Sequence, residues 1–229
     1  MRMLQKAPVL VFLLAVVAVL PADEILTAPA YFDRIATRYG EFTDFQAAVT
    51  IKLGTETMEG ELFHRRPNLL TIEFSAPSNE IISSDGKQLN VHIPRHGVTL
   101  RQPLRERTAE PTGLITEQGL SLMRRNYSIA YLTGPSEVAL EPGSSEMVIK
   151  LRLEARGTTE GYRQLTISVN EEGLIRRIVG VTNDYRDVQM DFRNIRIDGS
   201  IPDEKFEFEN PPTANVFENF IFELDRDGG

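Results

Sequence analysis

Residues 62 to 94 read LFHRRPNLLTIEFSAPSNEIISSDGKQLNVHIP, three strand-like runs separated by two turns, Arg66-Pro67-Asn68 and Ser83-Ser84-Asp85-Gly86. Leu70, Ile72 and Phe74 alternate with Thr71, Glu73 and Ser75, and Leu89, Val91 and Ile93 alternate with Gln88, Asn90 and His92. That period of two belongs to a sheet with one apolar face. Asp85-Gly86 is a hairpin signal, because a tight turn needs positive φ and these residues tolerate it. No nucleophile, metal cluster or phosphate loop lies here; Ser84-Asp85-Gly86-Lys87 lacks the glycine spacing of a phosphate cradle.

Working outward, Phe45, Ala47, Val49, Ile51 and Leu53 share one face of a preceding strand, Gly54-Thr55-Glu56 turns the chain, and Met58 to Arg65 returns as a hairpin partner. Before them, Tyr31, Phe32, Ile35 and Tyr39 recur at helical spacing, and Gly40 reads as the stop of a short amphipathic helix from Ala28 to Tyr39. From Pro103 to about Met123 the alternation vanishes among prolines, glycines and charges, with Leu114, Ile115, Leu120, Leu122 and Met123 as apolar points. An insertion of this kind, residues 103–125, reads as a lid or as helix packed permanently on the sheet.

Strand patterns resume at Met147, Ile149, Leu151 and Leu153, then at Leu165, Ile167 and Val169, at Ile178 to Val181, at Val188, Met190 and Phe192, and at Phe206 with Phe208. Nine to eleven strands joined mostly by short turns, with no βαβ rhythm, predict a meandering antiparallel sheet. A sheet of that length curls. The economical architecture is mainly β: an incomplete antiparallel barrel with a short N-terminal helix and helices over its mouth.

The first 22 residues stand apart. Arg2 and Lys6 precede 14 residues from Ala7 to Leu20, nearly all apolar, then Pro21-Ala22 and the acidic pair Asp23-Glu24. The run falls short of the ~20 residues that cross a bilayer core, so a cleaved signal peptide over residues 1–22 and one domain over 23–229 are expected. Removing Arg2 and Lys6 takes the formal charge from -8 to -10, since the segment holds no acidic residue. That acidity argues against nucleic-acid and anionic-lipid surfaces as partners. Cysteine is absent, so there is neither a disulfide framework nor a site for a lipid anchor on a mature N-terminal Cys. No catalytic residues, metal ligands or cofactor are expected. His92 and His96 flank Ile93-Pro94-Arg95 at a strand end, where a spacing of four is not a ligating face, and read as surface histidines.

The order of RRPNLL, a strand, SDGK and a strand ending in Ile93-Pro94 resembles the bacterial outer-membrane lipoprotein carrier family, LolA. The second half is similar in the same order: Gln164 to Val169 before Glu172-Gly173-Leu174-Ile175, then Phe192-Arg193-Asn194-Ile195, Ile201-Pro202-Asp203 and Phe206-Glu207-Phe208-Glu209-Asn210-Pro211-Pro212. The resemblance implies a half-barrel closed by helices, whose hydrophobic cavity receives the acyl chains of lipoproteins. It implies a monomer that works in the periplasm, loaded by an inner-membrane ATP-driven releasing complex and unloaded at an outer-membrane acceptor. The anchored receptor that shares the fold, LolB, needs a lipidated Cys absent here. On this footing the lipid-binding wall comprises Ile72, Phe74, Ile82, Leu89 and Val91, with Leu114, Ile115, Leu122 and Met123 contributed by the lid. The bland alternative is that these side chains form a filled core. Arg66 matches the family arginine before Pro-Asn-Leu that bonds the lid in the closed form and is needed for cargo release; Arg65 should face the other side of its strand. A carrier or sensor of another lipid or glycolipid stays open.

Overall fold

The computed structural model describes residues 26–104, 115–157 and 160–219. The expected signal peptide and Leu114 lie outside the described residues. Two helices, α1 (Ala28–Glu41) and α2 (Glu117–Asn126), accompany thirteen strands of one sheet: β1 (Asp44–Leu53), β2 (Glu56–Arg65), β3 (Leu69–Ala76), β4 (Ile81–Ser84), β5 (Gln88–Ile93), β6 (Val98–Pro103), β7 (Tyr127–Tyr131), β8 (Val138–Ala139), β9 (Met147–Ala155), β10 (Tyr162–Val169), β11 (Ile175–Thr182), β12 (Asp187–Ile197) and β13 (Asn215–Glu218). The spatial order β13-β6-β5-β4-β3-β2-β1-β12-β11-β10-β9-β7, with β8 beside β9, is two antiparallel meanders joined by the antiparallel pairing of β1 with β12, to which β13 adds in parallel at the β6 edge. Neither β13 nor β7 closes onto the other, so the sheet is an open, incomplete barrel.

Alternation becomes curvature because the apolar residues of each strand meet across the ladder. Ala47, Leu62, Ile72, Ile82, Val91 and Leu100 pair in one inner row. Phe45, His64, Leu70, Ser84, Leu89 and Gln102 pair in the next. One continuous core runs from these rows through Leu151, Leu153, Leu165 and Ile167 to Phe32, Ile35 and Tyr39 of α1 and Leu120 and Met123 of α2. The two quoted turns lean on each other: Gly86 has φ +82, and a Cβ there would overlap Asn68 of the preceding turn. Asp85 holds the conformation by accepting the Lys87 and Gln88 amides, each at 2.8 Å.

Several expectations change. Thirteen strands replace nine to eleven, because β6, β7, β13 and the two-residue β8 carry weak or short alternation. Helix α1 continues through Gly40 to Glu41; the glycine permits close approach, since a Cβ would stand 3.2 Å from Glu117 Cδ at the start of α2. No strand forms at Phe206 and Phe208: Asp203–Phe206 is a 3-10 turn, and the Arg65 guanidinium lies 4.7 Å from the Phe206 ring. This segment crosses the outer face of β2 to β5. Lys205 bonds Glu73 at 2.7 Å and lies over Phe63, and the Phe208 ring is 6.2 Å from His92. His92 is therefore buried, with Nδ1 3.0 Å from Thr99 Oγ1, and is not a surface histidine.

Candidate functional site

On the inner face of the sheet lies an apolar cavity of about 290 Å³. Its walls come from Val49, Ile51 and Leu53 of β1, Met58 and Leu62 of β2, Ile72 of β3, Ile82 of β4 and Val188, Met190 and Phe192 of β12. Ile115, at the approach to α2, faces it as well, and Tyr162, Thr182 and Arg186 make its polar end. The register explains the assembly. Val49 pairs with Phe192, Ile51 with Met190 and Leu53 with Val188, so three consecutive inner positions of β1 and β12 form a single apolar strip. A larger groove of about 740 Å³ runs over the outer face, but Glu59, Glu61, Glu73, Glu80 and Arg193 line it, which suits water rather than hydrocarbon.

Of the wall residues expected from sequence, Ile72, Ile82 and Ile115 come together around the cavity. Phe74 and Met123 are buried in the adjoining core, Leu89 and Leu122 are buried apart from the core cluster, and Val91 is half-buried. Leu114 lies outside the described residues. The contributions of β1, β12 and Tyr162 go beyond that expectation. Their alternation is plain in the sequence, but only the pairing of positions some 140 apart in the chain places them opposite Ile72.

The two helices form the cover. Thr27 caps α1 by accepting the Ala30 amide at 3.4 Å, and Thr116 caps α2 by accepting the Gly119 amide at 3.0 Å. Arg124 of α2 donates to Asp33 of α1 at 2.7 Å, so the helices are tied at their surface as well as through Glu117 against Gly40. Tyr39 fastens α1 to the sheet, its buried hydroxyl accepting the Ile175 amide at 2.9 Å. Burial drives the Tyr39 phenol well above its ordinary range.

At the C-terminal end of α1, Arg66 donates through its guanidinium to the carbonyl of Gly40, while its amide donates to Thr43 O at 3.0 Å. A last-turn carbonyl otherwise lacking an intrahelical donor is thereby satisfied. Arg65 points the other way, to Asp203 at 2.5 Å and to the Ile201 carbonyl, as alternation requires. Just beneath the Arg66 contact, His64 is 2% exposed, its ring 5.2 Å from that of Phe45, with neither ring nitrogen hydrogen-bonded. Burial first, and the neighbouring Arg66 charge second, push its pKa down to about 4, against a smaller opposing effect of Asp44.

An open sheet curled around an apolar cavity and covered by two helices defines the half-barrel class. The family model described as outer membrane lipoprotein carrier protein LolA matches residues 40–209, and the chain belongs to this family. An outer-membrane lipoprotein carrier protein of Sodalis glossinidius (strain morsitans) is 26% identical over 197 residues, covering 82% of this chain and 89% of its own. Among solved structures, an uncharacterized conserved protein from Thermus thermophilus superposes with a TM-score of 0.54 at 12% identity, over 82% of this chain and 96% of that one. A crystal structure of MucB superposes with a TM-score of 0.53 at 9% identity, over 82% of this chain and 64% of that chain. At such identities both structures share the fold alone.

Proposed function

We propose that the chain is a periplasmic carrier that takes acyl chains of lipoproteins into this cavity. It escorts lipoproteins from an inner-membrane ATP-driven releasing complex to an acceptor at the outer membrane. The observation that carries the reading is the apolar cavity on the inner face of the sheet, in a chain of the lipoprotein-carrier family. The relative from Sodalis glossinidius, itself described as a carrier of this kind, supports it. The role is non-enzymatic: the cavity binds and releases without making or breaking covalent bonds.

The energetics set what such a carrier must do. One acyl chain of ~14 methylenes exposed to water is unfavourable by ~11 kcal/mol at ~0.8 kcal/mol per methylene, so an aqueous escort has to hide it. A cavity of about 290 Å³ has the liquid volume of ~10 water molecules, which corresponds to part of a single long chain. Loading a lipoprotein with several chains therefore requires the cavity to widen, and in this reading α1 and α2 are the elements that move. The closed cover opposes loading, and its return favours release, so transfer proceeds downhill to an acceptor with more apolar surface.

In this reading Arg66 holds the cover closed through Gly40. The side chain is exposed, so its hydrogen bond contributes little to overall stability, yet it acts where α1 ends and α2 begins. The function is tested by incubating the purified chain with inner-membrane vesicles that bear a triacylated lipoprotein and the releasing complex. Soluble lipoprotein in stoichiometric complex with the chain is expected; lipoprotein that stays wholly membrane-bound in the presence of active releasing complex would contradict the proposal.

A further inference from the structure

The cavity is not apolar throughout. At the tip of the β11–β12 hairpin it ends in Tyr162, Thr182 and Arg186, and Arg186 is the sole charged side chain lining it among the described residues. The hairpin tip is rigidly built. Thr182 Oγ1 accepts the Arg186 amide at 3.0 Å, the Thr182 amide donates to the Arg186 carbonyl at 3.0 Å, and the Tyr185 amide donates to Thr182 O at 3.0 Å. Among the described residues the Arg186 guanidinium is bonded only along one edge, from Nε to Asp184 Oδ2 at 2.6 Å. The Asp184 carboxyl, pulled below its ordinary range first by the Thr182 hydroxyl and then by Arg186, stays outside the cavity lining. Both terminal amino groups of Arg186 remain available, in the planar fork that suits carboxylate and phosphate oxygens. A second cation stands close by, Arg163, whose guanidinium lies 4.2 Å from the Tyr185 ring.

We infer that the cavity is itself a binding site for a single-chain anionic amphiphile, its hydrocarbon along the β1–β12 strip and its carboxylate or phosphate head on Arg186, which stands largely exposed at the rim. The size agrees. A methylene is slightly smaller than a water molecule, so about 290 Å³ takes one chain of ~10 methylenes without displacing the helices. The polarity agrees too, since among the described residues the hydrocarbon strip ends at a lining cation, Arg186. Such a ligand would occupy the volume that a lipoprotein chain needs and would compete with cargo. The inference rests on reading the cavity as an acyl-chain site and adds to it the charge of the head group.

The test is equilibrium binding of dodecanoate, dodecyl phosphate and uncharged 1-dodecanol to the purified full chain, by calorimetry, for wild type, Arg186→Gln and Asp184→Asn. Either anion should bind about tenfold more tightly than the alcohol. Arg186→Gln should remove that margin, and Asp184→Asn, which takes away the negative charge beside the guanidinium, should widen it. The stronger of the two anions identifies the head group. Equal affinity for alcohol and anions, or an anion preference that survives Arg186→Gln, overturns the inference while leaving the cavity reading standing. Absence of binding by all three probes overturns both the inference and the acyl-chain reading of the closed cavity.

Discussion

His64 and Arg66 sit two residues apart, at the end of β2 and just beyond it, in opposite environments. Arg66 is exposed and donates to Gly40, whereas His64 is buried with both ring nitrogens unpartnered. The pKa of His64 lies at about 4, below its ordinary 6.5, so the unfolded chain takes up a proton that the folded one refuses. Its contribution is intact above pH 6.5 and is lost progressively as the pH falls from 6.5 to 4, reaching ~3 kcal/mol by the lower limit. Thermal unfolding at pH 7 and pH 4.5 should therefore show a larger drop for wild type than for His64→Leu. The variant should also be more stable by about 1 kcal/mol at pH 7, because an unsatisfied buried polar ring is replaced by hydrocarbon. An unchanged pH response in His64→Leu would contradict this assignment. Arg66→Leu is expected to lower stability by less than ~1 kcal/mol. It should still accept lipoprotein from vesicles but fail to pass it to outer-membrane acceptor; normal transfer by that variant would remove the proposed role of Arg66.

At the scale of elements, the two turns of the opening stretch form one packed unit, with Asn68 of the first against Gly86 of the second. Gly54, at the β1–β2 turn, also has positive φ but open space around its Cβ position. Urea denaturation should accordingly separate the two: Gly54→Ala costs ~1 kcal/mol from backbone strain alone, and Gly86→Ala costs ~3 kcal/mol because strain and overlap add. Equal losses would mean that the turns do not brace each other. Most strands and the Asp85-Gly86 turn were legible from alternation and turn chemistry, since both signals are local, whereas β6, β7, β8 and β13 carry too little alternation to be read. The extra residues of α1, the 3-10 turn at Asp203–Phe206 and the burial of His92 were not. Each depends on a distant segment: Glu117 against Gly40, Arg65 against Phe206, and Phe208 against His92.

For the whole molecule, the curled, helix-covered half-barrel follows from a meander whose apolar faces all point one way, together with the family motifs along its length. Where the cavity lies within that core was only partly legible. Ile72, Ile82 and Ile115 line it, but the rest of the lining comes from β1, β2 and β12 and from Tyr162, Thr182 and Arg186. Alternation says which side chains point inward and is silent on whether they meet or leave a gap between them. The central claim, that acyl chains of cargo enter this gap, is tested most directly by site-specific photo-cross-linking in the loaded complex. A photoreactive residue at Met190, inside the cavity, is compared with one at Glu61, in the outer groove. Cross-links to the lipid-modified end of the lipoprotein from position 190 and none from 61 are predicted; a complex that forms normally but cross-links from 61 and not from 190 would contradict the account.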